Sequence, residues 1–234
     1  SPVSVGTQIM ESVLQAMSQA VPYRAAASWG KHRGDYTSAT DSRTGQPYVF
    51  TSFDYDGSGG AVYGHDGYGA SGNITTLGIV NRGNVEEMEN RIPWRILKWE
   101  FSRDHMGAGR WRGGPGIEWQ AFNLGGSGRM ATGSSDGDEM QGFGAAGGEP
   151  SPKSRTYIMR DGEQIRVKPH RIVSIEPGDV VVRHSSGGGG VGNPKERDRE
   201  SVVRDVRNGL VSADAARLTY GVDAADEAAG KEFT

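Results

Sequence analysis

His65 and Asp66 stand side by side in a glycine-dense stretch that runs from Asp54 to Asn73. An imidazole titrates near neutrality and can take a proton from water, while a carboxylate or a backbone carbonyl holds its tautomer. A loop without regular period can present both groups to a substrate. His65 and Asp66 are therefore the candidate catalytic pair, and Asn73, at the end of the loop, is a candidate substrate contact. Adjacent residues seldom face one point, so the plain alternative is a solvated loop.

Two glycine runs carry the other candidates. In Gly107-Ala-Gly-Arg-Trp-Arg-Gly-Gly-Pro-Gly116, Arg110 and Arg112 flank Trp111. Guanidinium forks bind carboxylates or phosphates bidentately; they also bind backbone carbonyls, or an acid across an interface. In His184-Ser-Ser-Gly-Gly-Gly-Gly-Val-Gly-Asn-Pro194, the N–H groups around Gly188 and Gly190 can cradle an anion. Alternatively the run marks a crossing that only glycine permits. A Walker loop needs Gly-Lys-Ser/Thr opening a helix, and Val191-Gly192-Asn193-Pro194 stands there instead. His32, His65, His105, His170 and His184 show no metal-ligand spacing, and Asp136, Asp138 and Glu139 do not match a calcium loop. No metal site is assigned to this chain.

The elements that must position these residues are short. Ile9, Met10, Val13, Leu14 and Met17 predict a helix over Thr7 to Ala20 with one buried face, capped by Thr7 and stopped by Pro22. Residues 23 to 48 show no usable period. Strands are expected at Tyr48 to Phe53, Thr75 to Val80, Trp94 to Phe101 (with a bulge where the alternation changes phase) and Ile117 to Ala121. Asn84 to Asn90 reads as a helical turn. Asp161-Gly162 predicts a hairpin between Tyr157–Met159 and Ile165–Val167. A second turn, Glu176-Pro177-Gly178-Asp179, lies between Arg171–Ile175 and Val180–Val182. Asp198 caps a helix carrying Val202, Val203, Val206 and Leu210, and Ser212 opens another that ends at Tyr220-Gly221.

Composition sets the frame. Gly (37) and Pro (10) fill one position in five of 234, and the strongest core formers are few: 19 Val, 10 Ile, 6 Leu and 6 Phe. A net charge of −3 gives no electrostatic footprint for nucleic acid. No apolar run approaches the ~20 residues of a membrane helix. The absence of Cys excludes disulfides and thiolate chemistry and suits the cytoplasm. No signal peptide is visible, and the opening Ser1-Pro2 without Met fits a processed or split polypeptide. The expected fold is α+β: a β-rich mixed unit over residues 1–222 with an N-terminal amphipathic helix, glycine-rich loops and C-terminal helices, then a polar tail, 223–234. So thin a core predicts instability unless another chain covers it.

Taken together, Glu89 … Pro93 … Glu100-Phe101 with Gly107–Gly116, and Gly187–Pro194 with Arg197-Asp198, Val202, Asp205-Val206, Gly209–Ser212, Ala216 and Tyr220-Gly-Val222, resemble the C-terminal part of the hydantoinase B/oxoprolinase family. Val5-Gly6 … Gln8 fits the same register. Val191 and Asn193 depart from the family's usual aromatic and Asp, and a Pro near Glu86 is missing. The resemblance implies part of an ATP-dependent complex that opens cyclic amides of the hydantoin, oxoproline or lactam type by phosphoryl activation and hydrolysis. Alternatives within it are a ketone carboxylase of the acetone or acetophenone type and a non-catalytic assembly subunit. It further implies an A-type partner that binds ATP and Mg, and an N-terminal portion of the B-type subunit that carries a divalent metal.

Overall fold

The computed structural model describes residues 2–31, 34–52, 57–72, 74, 83–133 and 136–225. The strand expected at Thr75 to Val80, His32, Asn73 and the tail beyond residue 225 lie outside them. Ala224, inside the expected tail, is buried against the C-terminal helices.

Two antiparallel sheets share one apolar core. The first has the order β2(Pro47–Ser52)-β1(Asp35–Thr40)-β5(Gly128–Thr132)-β8(Ile172–Ile175); the second is β3(Trp94–Phe101)-β4(Ile117–Asn123)-β9(Val180–His184)-β6(Arg155–Arg160)-β7(Glu163–Val167). With the helices, this is the expected α+β class. On β4 the alternation is strict: Ile117, Trp119, Ala121 and Asn123 point inward. The first three meet Trp94, Ile158, Val167 and Val181 of their own sheet and Met130 and Ile175 of the other.

Local chemistry explains most of the boundaries. The register shift in β3 falls between Ile96 and Lys98, where the hydrophobic alternation changes phase. Asp161 and Gly162 both have positive φ (51° and 81°), as a two-residue hairpin turn of the I′ type requires, and they join β6 to β7. Asn84 caps α2(Val85–Arg91) by accepting from the N–H groups of Glu86 and Glu87. The turn at Glu176–Asp179 makes no hairpin. It carries the chain from β8 in one sheet to β9 in the other.

Strands β1 and β5 escaped the periodicity because their inward residues are not all apolar. On β1 these are Asp35, Thr37 and Ala39. Asp35 pairs with Arg183 of β9, both side chains almost wholly buried, and the Arg183 guanidinium lies 5.1 Å from the Trp119 ring centre. A buried ion pair replaces the apolar contact that sequence patterning looks for.

The helix α1(Pro2–Ala20) is present, but its orientation is the reverse of the expected one. Thr7 and Glu11 are buried, whereas Ile9, Met10, Val13 and Met17 face outward. Glu11 decides this. Its carboxylate accepts from Lys31 Nζ (2.9 Å), the Trp29 N–H (2.9 Å) and Ser28 Oγ, drawing the polar side of the helix inward.

Beyond the ends of β4 and β9 the chain forms a layer of extended glycine-rich segments, with Ser185–Val191 running through its middle. Gly188 donates to Gly114 O (2.9 Å) and accepts from the Gly107 N–H (2.8 Å). Gly189 pairs with Ser28 O and the Ala61 N–H, and Gly190 with Glu149 O and the Ala145 N–H. Three successive residues thus bond to three different pairs of neighbours. A strand bonds to two sides; a three-residue repeat is that of an extended polyproline-II-like helix. Neighbours on all sides leave no room for side chains: a Cβ on Gly188 would lie 2.0 Å from Gly59 O, and one on Gly190 2.1 Å from Ala108 O.

The helix α3(Arg199–Arg207) and the short α4(Ala213–Ala215), which continues as a π-helical turn to Tyr220, pack Val202, Val206, Val211 and Tyr220 on Met106 and Ala108 of this layer. Asp198 and Ser212 are their N-caps, and Gly221 ends the second at φ 72°.

Candidate functional site

The glycine layer brings together three of the residues singled out in the sequence. His65, Asp66 and Arg110 line one open depression of about 400 Å³, with Trp111 beside them and Arg197 and Arg204 on its other side. His65 closes a tight antiparallel bridge with Val62 (N–H to Val62 O, 3.1 Å), so its backbone is anchored while its side chain stays exposed. Arg110 is half exposed. Its guanidinium lies 4.9 Å over the Trp111 ring and 3.9 Å from Glu196, a loose contact that leaves it able to turn toward a ligand.

Asp66 and Arg112 are engaged elsewhere. Asp66 receives both terminal nitrogens of Arg197 (2.7 Å each) and the Arg112 N–H (2.9 Å). Arg197 also donates to Asp205 (2.8 Å) and to Arg110 O (3.1 Å), and Asp205 takes the fork of Arg112 at 3.0 and 3.1 Å. Two arginines and two aspartates form a neutral, mostly buried network that pins the His65 loop and the Gly107–Gly116 segment to α3. Asp66 is thus held by Arg197, not by His65, and Arg112 clamps an acid of its own chain rather than one across an interface.

Charge follows from these contacts. Burial pushes the Asp66 carboxyl up, but the Arg197 hydrogen bonds and charge outweigh it and hold the group below the usual carboxylate range. Burial works against the Arg197 cation too, and Asp66 and Asp205 more than restore it. Tyr220 beside them is pushed up to about 12 by burial, so its phenol stays neutral.

Gly188 and Gly190 are buried, with their N–H groups given to Gly114 and Glu149 carbonyls. Those donors are spent within the chain, so these glycines are crossing points rather than an anion cradle. Among the described residues no three His, Asp or Glu side chains converge as a metal would need. Asp138 of the acidic cluster pairs with Arg166 at 3.0 Å. Among the described residues, those singled out for an anion or a metal therefore build neither cradle.

Sequence reasoning missed Arg197 and Asp205 as residues that form the candidate site. The signal for Asp205 was present: a carboxylate between Val202 and Val206, on the apolar face of a helix, demands a buried cation. His105 is held by its Nδ1–H to Ser185 O (2.8 Å), and burial lowers its pKa. A wider groove of about 840 Å³ runs between β3 and the α3–α4 connection. Its floor charges, Lys98, Glu100 and Glu118, pair with one another at 2.9 and 3.6 Å.

The two arginines of one motif are thus separable. Arg110→Ala is expected to change unfolding free energy by less than about 0.5 kcal/mol, the usual range for a surface side chain. Urea denaturation checks this; a larger loss would mean that Arg110 also holds the fold.

The family model for hydantoinase B/oxoprolinase matches residues 1–194. The chain belongs to this family. Within the family it is 34% identical over 221 residues to the beta chain of the caprolactamase of Pseudomonas jessenii, covering 92% of this chain and 38% of that one. To the B-type chain of a putative D-/L-hydantoinase of Pseudomonas sp. (strain NS671) it is 28% identical over 227 residues, 94% of this chain and 37% of the relative. The crystal structure of the ATP-dependent caprolactamase of P. jessenii superposes with a TM-score of 0.76 at 29% identity, over 88% of this chain and 37% of the other. A nucleotide-free acetone carboxylase shares the fold (TM-score 0.70, 19% identity, 84% and 30% covered). This family chain spans less than two-fifths of the length of these relatives.

Proposed function

We propose that this chain is one part of an ATP-dependent complex that opens a cyclic amide of the lactam or hydantoin type. The observation that carries the reading is the 34% identity to a caprolactamase chain over nearly the whole length of this one, with a hydantoinase chain next to it. The carboxylase likeness, at 19% identity, speaks for fold alone. In this reading an A-type partner binds ATP and Mg and activates the amide oxygen by phosphoryl transfer, and any divalent metal sits in the part of the B-type relatives that this chain does not match. The depression at His65 supplies two functions. His65 takes the proton of the attacking water, and Arg110 holds an anionic end of the substrate or intermediate. The ion-pair network below keeps the His65 loop in place.

The assembled complex is assayed for ATP-dependent ring opening of caprolactam, a hydantoin and oxoproline, and for carboxylation of acetone with bicarbonate. Ring-opened product with ADP formation is expected; carboxylation alone would overturn the reading. In the same complex His65→Ala and His65→Gln should each lower turnover by about 10²-fold or more, the usual contribution of a general base, and leave assembly intact. Glutamine keeps a hydrogen bond but cannot take the proton. Full turnover of both variants from about pH 6 to 9 would remove His65 from the mechanism.

A further inference from the structure

The outward face of α1 is a long apolar feature that the fold and the proposed site leave unused. Val5, Ile9, Val13, Met17 and Val21 recur every fourth residue and are 61, 59, 53, 41 and 41% exposed, with Met10 beside them. Such an i, i+4 row is a ridge of the kind that seats in the groove of another helix. At about 1.5 Å per residue it is roughly 24 Å long. The only charged residue of α1 is Glu11, and it is spent on Lys31 in the interior. The exposed side of the helix therefore carries no charged side chain. A helix on a free surface has the opposite pattern, apolar inward and charged outward.

We propose that this ridge is the seat of the remainder of a family B-type subunit, contacting it through an apolar, uncharged helical surface. Two observations select that occupant. First, the caprolactamase chain that this one matches has more than three-fifths of its length outside the match, and that length must pack against the matched part or its surroundings. Second, the ridge is the exposed part of only six side chains, less than the ~800 Å² per partner of a stable free-standing interface. Two free copies joined only here would not persist, whereas one patch within a larger contact of the same subunit needs no more. The exposed surface also continues along the chain toward the depression. Tyr23, 70% exposed, meets the Tyr63 ring edge-on at 4.9 Å, and Tyr63 lies 4.4 Å from Trp111. The inference rests on family membership, not on which reaction the complex performs.

The chain is co-expressed with the polypeptide of its own source, continuous with it or separate, that aligns to the unmatched part of the caprolactamase chain. A benzoylphenylalanine at position 13 is irradiated in the purified complex, and the cross-linked peptide is sequenced. The expected result is a peptide of that polypeptide, together with at least a tenfold loss of co-purification in the Ile9→Gln, Val13→Gln variant at an unchanged urea midpoint. Cross-linking to a second copy of this chain, to the ATP-using partner or to nothing overturns the proposal, as does undiminished co-purification of the variant. Should the double variant lose stability, the cross-link from position 13 decides by itself.

Discussion

Gly188→Ala is expected to abolish the cooperative fold, at a cost of more than about 4 kcal/mol, among the largest effects single substitutions produce. The added methyl would sit 2.0 Å from Gly59 O, 2.5 Å from Gly59 C and 2.8 Å from Gly60 Cα. All three are backbone atoms of a neighbouring segment, so no rotamer change relieves the clash. Moving that segment breaks bonds on several sides, since Gly59 donates to Tyr68 O and accepts from the Gly114 N–H while Ala61 is bonded to Ala27 and Gly189. Gly45 is the control. It has a positive φ of 69° with nothing near its Cβ, and Gly45→Ala should cost only the left-handed backbone penalty of about 1–2 kcal/mol. Urea denaturation of both variants checks the contrast. Equal, small losses would show that the layer is loosely packed and that its glycines are not needed for their size.

Elements whose signal is local were legible in the sequence: the bulge in β3, the Asp161-Gly162 hairpin, the caps at Asp198 and Ser212. Each depends on residues within a few positions of one another. The glycine runs were legible as crossings or cradles but not decided between, because the choice depends on which segments come within 3 Å from elsewhere in the chain. The orientation of α1 was misread for a related reason. Hydrophobic periodicity assumes that the apolar face is buried in the same polypeptide, and here a single carboxylate with three donors, Glu11, overrides it. Of the candidate site, the proximity of its residues was legible but their contacts were not. His65, Asp66, Arg110 and Arg112 do come close together, but their division of labour depends on Arg197 and Asp205, 131 residues from Asp66 in one case and 93 from Arg112 in the other. Pairing at that separation leaves no mark in spacing.

Asp205→Asn should destabilise the chain by about 3–5 kcal/mol, the range for breaking one side of a buried ion pair. The substitution keeps the shape and removes the charge that faces both Arg112 and Arg197, whose side chains are only 11% and 2% exposed. Asp66 then faces Arg197 alone, and Arg112 is left with a backbone carbonyl. Because the loss arises from an uncompensated buried cation, adding Arg112→Met to Asp205→Asn should recover part of it; a double-mutant cycle measures how much. Salt should change little, since buried pairs are weakly screened. The network also fixes an acid response. The Asp66 carboxyl lies below its usual value in the folded chain. Its contribution is therefore fully present above the unfolded carboxylate pKa near ~4 and is lost as pH falls through the lower, folded value. Urea titrations at descending pH should show stability falling in that window for the wild type, with a shallower slope for Asp66→Asn. If Asp205→Asn costs less than about 1 kcal/mol, or if its effect disappears in about 1 M salt, the four residues form a solvated surface cluster. The His65 loop would then owe its position to the glycine crossings alone.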